Sequence, residues 1–263
     1  MMRRYLQWLL QWLAAAALTL AMAATAAQAQ HREDARRAFA NGDYATAMTI
    51  YRQLAERGDA DAITQIAKMY ANGQGVEFNA AEAAKWYRVA SDQYNALAAY
   101  DRGDYPRALE FYRPLADKGQ LMAEYMLGMM YANGQAVPQN YSEAMKWLRK
   151  AADDGEAKAQ FNIGVLYVKG LGTPKDLAEA SKWYRRAADQ GEPAALYNLG
   201  SMYARGESMA KDPVAAYKFY SLAAARGVKA AGDAKTQLAK SMTAAQISEA
   251  EAQARGWAAK PEL

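Results

Sequence analysis

The chain has 263 residues, 52% of them hydrophobic and 23% charged, with one histidine and no cysteine. These counts exclude a disulfide framework, a thiol nucleophile, a lipid-attachment cysteine and an ordinary zinc site, which draws its ligands mainly from Cys and His. Lys and Arg total 32 against 28 Asp and Glu, a formal charge of +4, and that balance does not suit a nucleic-acid-binding surface.

Residues 1–29 read as a secretory leader. Arg3 and Arg4 come first, an uncharged apolar stretch runs from Leu6 to Ala27, and Ala27-Gln28-Ala29 forms a small-residue exit. Cleavage is expected after Ala29, leaving a bacterial chain that is periplasmic or secreted and carries a charge of +2 once Arg3 and Arg4 are removed. The alternative is an uncleaved membrane anchor, because the apolar stretch is long enough to span a bilayer. Gln7, Gln11 and the small-residue exit favour removal. His31 falls beside the cleavage site and is not expected to act in catalysis or metal binding.

The rest of the chain repeats itself. Gly42-Asp43-Tyr44, Tyr51-Arg52, Tyr70-Ala71-Asn72-Gly73-Gln74, Trp86 and Arg88 return 61 residues later as Gly103-Asp104-Tyr105, Tyr112-Arg113, Tyr131-Ala132-Asn133-Gly134-Gln135, Trp147 and Arg149. Downstream the period is 36: Gly119, Gly155 and Gly191; Tyr131, Tyr167 and Tyr203; Trp147 and Trp183, with Phe219 in the next equivalent place. Periods of this length signal an array of stacked units. The frame gives units at 58–93, 119–154, 155–190 and 191–226, with shorter hairpins at 30–57 and 94–118 built on "GDYATAMTIYRQLAER" and "GDYPRALEFYRPLADK".

Each unit opens with a helix-like pattern of small, aliphatic, small and Tyr: Ala62, Ile66, Ala67, Tyr70; Ala123, Leu127, Gly128, Tyr131; Ala159, Ile163, Gly164, Tyr167; Ala195, Leu199, Gly200, Tyr203. Spacings of four and three define one buried helix face. A glycine inside a helix costs about 1 kcal/mol relative to Ala, so its return at 128, 164 and 200 predicts close approach of a bulky partner. The second segment supplies one: Ala83, Trp86, Tyr87, Ala90; Ala144, Trp147, Leu148, Ala151; Ala180, Trp183, Tyr184, Ala187; Ala216, Phe219, Tyr220, Ala223. Gly73, Gly134, Gly170 and Gly206 follow the first segments, where a left-handed cap is expected. Each unit is therefore a predicted helix hairpin.

The combined pattern, A-x-x-x-[IL]-[GA]-x-x-Y-x-x-G followed by A-x-x-W-[YL]-x-x-A within 36 residues, resembles the Sel-one-like repeat, a relative of the tetratricopeptide repeat. The resemblance implies an all-α fold, a right-handed superhelical solenoid of antiparallel helix hairpins. It also implies a non-enzymatic, cofactor-free adaptor in envelope assembly or signalling, whose partner is another protein or a peptide segment. The short hairpins at 30–57 and 94–118 depart from the pattern and look more like tetratricopeptide units.

Beyond Arg226 the repeat fades. Residues 227–240 begin another first-type helix, and Thr243 with Gln246 forms a capping box ahead of a helix at 244–255. These are the expected terminal cap, with a frayed tail at 261–263.

Chemistry is sparse. Ser208-Met209-Ala210-Lys211 matches the S-x-x-K pattern of penicillin-recognising enzymes, and some relatives of the repeat family carry a β-lactamase label, but no S-D-N partner accompanies it. The candidate partner face lies instead on the first helices. Two residues before each core aliphatic stand Thr64, Tyr125, Phe161 and Tyr197; two residues after it stand Lys68, Met129, Val165 and Ser201; Lys169 and Arg205 lie at the border. On a wheel of about 100° per residue this face points away from the partner helix, toward either a concave groove that binds protein or the helix of the next repeat. Exposed rings stacking on a glycan or on peptidoglycan are the alternative function, ranked ahead of a cell-wall enzyme using Ser208 and Lys211.

Overall fold

The structure, a computed structural model, describes residues 30–260, and among these it contains thirteen helices and no strand. They fall into two compact units, 30–156 and 157–260. In the N-terminal unit α1 covers residues 30–40, followed by α2 Tyr44–Glu56, α3 Ala60–Asn72, α4 Ala80–Asp101, α5 Tyr105–Asp117, α6 Leu121–Asn133 and α7 Tyr141–Asp153. The C-terminal unit holds α8 Ala157–Lys169, α9 Leu177–Asp189, α10 Pro193–Arg205, α11 Pro213–Ala225, α12 Lys229–Ala239 and α13 Ala244–Arg255. Successive helices pack on one another from α2 to α7 and from α8 to α12, and α13 packs on α11, so this is the all-α hairpin array that the sequence predicts.

Local chemistry sets the helix ends. Asp43, Asp59, Asn79, Asp104, Asn140, Asp176 and Asp212 each accept a hydrogen bond from a backbone N–H in the first turn that follows, satisfying donors that an isolated helix leaves orphaned. First helices end in a left-handed glycine at Gly73, Gly134 and Gly206. The chain then turns so that the N–H of Asn79, Asn140, Asp176 and Asp212 donates to the carbonyl of Tyr70, Tyr131, Tyr167 and Tyr203. One loop geometry thus recurs four times. It contains a second left-handed position, filled by Gly75, Ala136, Gly172 and Ser208.

The helix glycines are contact points. An added Cβ at Gly164 would stand 2.6 Å from Tyr184, one at Gly200 2.9 Å from Tyr220, and one at Gly128 2.8 Å from Leu148. The residue resting on each glycine therefore follows the Trp147, Trp183 or Phe219 position by one. In the first repeat the small residue is Ala67, and there Tyr87 is 42% exposed, whereas Tyr184 is 3% and Tyr220 6% exposed. The missing Cβ decides whether the ring goes in.

The 36-residue frame, carried back to Gly58, puts a junction at 93/94, yet α4 runs through it for 22 residues without a break. No Gly or Pro occurs between Ala80 and Asp101, so nothing stops the helix, and its one length packs on both α3 and α5. The extension leaves Tyr94 and Leu97 exposed. At the other end, α12 and α13 form the expected cap, with both halves of the Thr243–Gln246 capping box present. Residues beyond α13 fold back within the C-terminal unit: Arg226 lies 4.8 Å from the Trp257 ring, and the Lys260 N–H donates to the Asp189 carbonyl at 2.7 Å. The leader and its cleavage site at Ala29, and the tail at 261–263, lie outside the described residues.

Candidate functional site

In the C-terminal unit the predicted face occupies two helices of identical phase. Phe161, Val165 and Lys169 follow one another at i, i+4 and i+8 on α8, and Tyr197, Ser201 and Arg205 do so on α10. Phe161, Val165 and Tyr197 are half-buried against the core, while Lys169 and Arg205 are exposed. The Phe161 ring lies 5.7 Å from Tyr184 at 31°, and the Tyr197 ring 5.7 Å from Tyr220 at 38°. These rings thus rest on the second helix of their own repeat, where the wheel argument had them facing away from it.

Polar groups tie the same region together. The Tyr220 hydroxyl donates to Ser201 Oγ at 3.2 Å, and Ser201 donates in turn to the Tyr197 carbonyl at 3.1 Å. Burial pushes the Tyr184 hydroxyl up to about 12, opposed by its hydrogen bond with Asn198, so it stays neutral at any physiological pH. Ser201 is committed to packing. Arg205 reaches Glu207 at 3.5 Å, an exposed contact worth little.

In the N-terminal unit the four predicted residues are split between α3 and α6. Thr64 is half-buried and its hydroxyl donates to the Ala60 carbonyl at 2.8 Å, while Lys68 is exposed. Tyr125 and Met129 on α6 are both half-buried.

One recurring device was not anticipated. Arg52 donates to the Tyr70 hydroxyl and Arg113 to that of Tyr131, both at 2.9 Å, and Arg185 makes the same bond to Tyr203. Each joins a second helix to the first helix that follows. Arg185 also lies 5.6 Å from the Tyr203 ring and 5.9 Å from that of Phe219, two rings stacked at 9°. The signal was available as an Arg 18 residues before the repeat Tyr.

Ser208 and Lys211 are both exposed, in the loop between α10 and α11. Ser208 has φ +63° and takes the turn position that Gly75, Ala136 and Gly172 hold in the sister loops, so a turn requirement accounts for it. His31 is exposed on α1. Among the described residues no group of three or more acidic or histidine side chains could hold a metal ion. A cleft beside α1 is lined by Arg32, Arg36, Asp59 and Asp61, whose charges pair with each other, Arg32 with Asp59 and Arg36 with Asp61.

The family model of the Sel1 repeat matches residues 60–95, 97–120, 121–156, 157–192 and 193–228, more than half of the chain. Its 97–120 match is a short repeat that begins inside α4. Among solved structures, a Sel1 repeat protein from Oxalobacter formigenes is 28% identical with a TM-score of 0.53, over 85% of this chain and 98% of that one. The protective antigen c5321 of uropathogenic Escherichia coli, described as displaying an SLR fold, is 27% identical with a TM-score of 0.47, over 80% of this chain and 56% of that one. Immunity protein Pa5087 from Pseudomonas aeruginosa is 21% identical with a TM-score of 0.41, over 74% and 81%. No curated protein matches.

Proposed function

We propose a function from one premise: the chain belongs to the Sel1 repeat family. Sel1 repeat proteins are in general protein–protein interaction scaffolds. Our reading is that this one is a non-enzymatic adaptor, exported after cleavage at Ala29, that works in the periplasm or outside the cell. It takes a segment of another protein onto the exposed face of its first helices, in envelope assembly or signalling.

The observation that carries the reading is the pair Lys169 and Arg205. Each is exposed at the same helical position, one turn beyond Val165 or Ser201 and two beyond Phe161 or Tyr197. An apolar floor with a basic border suits a partner segment that is apolar with acidic flanks, since charge complementarity steers encounter and selects partners. On α3 the corresponding place is held by Asn72, and Lys68 stands one turn earlier. The glycan alternative draws less support, because Trp183 and Phe219 are buried at 6% and 3% exposure.

The test is affinity capture with the mature chain from an envelope extract of the source cell, comparing wild type with Lys169→Glu/Arg205→Glu. Both residues are exposed, so the variant should keep the wild-type circular dichroism and lose the captured protein. Retention of the same partner would move the site off this face. N-terminal sequencing of the periplasmic fraction should read from Gln30; an intact Met1 in the membrane fraction would replace export by anchoring.

A further inference from the structure

Position by position, the repeats place Ile63, Glu124, Gln160 and Leu196 at one register, facing inward at 0%, 3%, 0% and 0% exposure. On the second helices the corresponding residues are Gln93, inside α4, and Asp154, Gln190 and Arg226, at the ends of α7, α9 and α11. In the α8–α9 hairpin the two register positions meet as an amide pair, with Gln190 Nε2 donating to Gln160 Oε1 at 2.9 Å. In the α6–α7 hairpin the same two places carry carboxyl groups, Glu124 and Asp154. Glu124 Oε2 is buried and has no hydrogen-bond partner. An ionised carboxylate there leaves Oε2 with no donor to replace its lost water.

We propose that Glu124 binds a proton as the α6–α7 hairpin closes, so that this hairpin is a proton-sensitive element where the α8–α9 hairpin holds a neutral amide pair. A protonated glutamic acid presents a donor group beside an acceptor group, as the glutamine of the next repeat does. The charged groups acting on Glu124 come from α7 and its end: Asp154, which favours the proton, and Lys150, which opposes it. Lys150 is exposed and lies 4.1 Å from the Trp147 ring. On α5, the other helix packed on α6, Arg113 is bonded to Tyr131, and Asp117 is exposed. Burial is the largest influence and holds Glu124 above the ordinary 4.5.

The direction of the linkage follows. A carboxyl whose folded value is raised contributes stability that is fully present below its unfolded value and is lost as pH rises through the folded one. The hairpin is therefore firmest in mild acid and loosens as the proton leaves. Because α6 also carries Tyr125 and Met129, the proton governs how firmly those residues are held. That last consequence rests on the proposed partner face; the stability effect does not.

The experiment is urea unfolding of the full mature chain over a pH series from 7.5 down to the ordinary 4.5, with hydrogen exchange of α6–α7 peptides corrected for intrinsic pH dependence. Wild type should show an upward midpoint shift and slower α6–α7 exchange toward the acid end. Glu124→Gln should match or exceed wild type at pH 7.5 and lose the acid-induced slowing in α6–α7; Glu124→Leu, borrowing the residue at position 196, repeats the test should the amide fail to pack. Asp154→Asn should shrink the response. Wild-type exchange in α6–α7 that ignores pH, or a Glu124→Gln protein that keeps the full response, overturns the proposal. Loss of partner capture with an unchanged proton response would instead defeat only the partner face.

Discussion

Replacing Gly164 with alanine should destabilise the C-terminal unit, and replacing Gly232 with alanine should stabilise it. Both glycines lie inside helices, α8 and α12, so each substitution recovers about 1 kcal/mol of helix propensity. Around Gly232 nothing lies within 4 Å of the new Cβ, and the whole gain should appear. At Gly164 the Cβ would sit 2.6 Å from both Cδ1 and Cε1 of Tyr184 and 3.2 Å from Cζ, about 1 Å inside ordinary carbon contact. Tyr184 has little room to yield. Phe161 leans on it at 5.7 Å, its hydroxyl is bonded to Asn198, and it is 3% exposed.

Overpacking of this kind costs roughly 1–3 kcal/mol, so the net loss at Gly164 should be up to about 2 kcal/mol after the helix gain. The first repeat shows where the ring goes under such pressure, since beside Ala67 the equivalent Tyr87 is 42% exposed. Urea unfolding of both variants followed by circular dichroism gives the two signs, and hydrogen exchange in α8–α9 peptides locates the loss. The Gly164→Ala penalty should vanish in a Tyr184→Ala background, as coupling between contacting residues requires. A Gly164→Ala protein as stabilised as Gly232→Ala would refute the close-approach explanation of all three repeat glycines.

Ala136 and Ser208 stand at φ +61° and +63°, so Ala136→Gly and Ser208→Gly should each raise the unfolding free energy by about 0.5–1 kcal/mol. Ser208→Gly also removes the hydroxyl of the S-x-x-K match; nitrocefin turnover present in wild type and absent from this variant would assign catalysis to the loop, and we expect none in either. Thr243→Ala removes the side chain that closes the capping box of α13 and should cost about 1 kcal/mol, read as faster amide exchange at the start of that helix. Trp257→Ala uncovers Arg226, whose guanidinium the ring faces at 4.8 Å, and should cost about 1–2 kcal/mol, measured by urea midpoint. A neutral Trp257→Ala would show that the C-terminal segment adds nothing to the unit.

The hairpins were legible because their cause is local and repeated. A left-handed glycine after each first helix, an Asp or Asn opening most second helices, and a small residue facing a large one are all chemistry of a few neighbouring positions. The uninterrupted α4 could have been read from the absence of Gly and Pro between Ala80 and Asp101, but the 36-residue frame carried back to Gly58 drew the boundary at 93 first. The Arg–Tyr bonds were hidden for a different reason. Arg52 and Tyr70 belong to different helices, and only the turn between α2 and α3 brings their side chains together. Glu124 was hidden by being ordinary, since a glutamate in the first turn of a helix is usually a solvated charge at the positive end of the dipole. Its register with Ile63, Gln160 and Leu196 is what marks it as buried.

The same distinction separates packing from recognition along the first helices. Aromatic residues return at 125, 161 and 197 with the period of the repeat, and in the C-terminal unit the last two are accounted for by Tyr184 and Tyr220, the rings they lie on. Periodicity of that kind records what the fold demands of each unit, and any repeat of this geometry would carry it. Truncating Phe161 or Tyr197 would therefore loosen the hairpin and the partner face together, and a lost interaction could not be assigned to either. Lys169 and Arg205 are free of this ambiguity, because both are exposed and neither supports the core. Charge reversal at those two positions asks about a partner without asking about the fold.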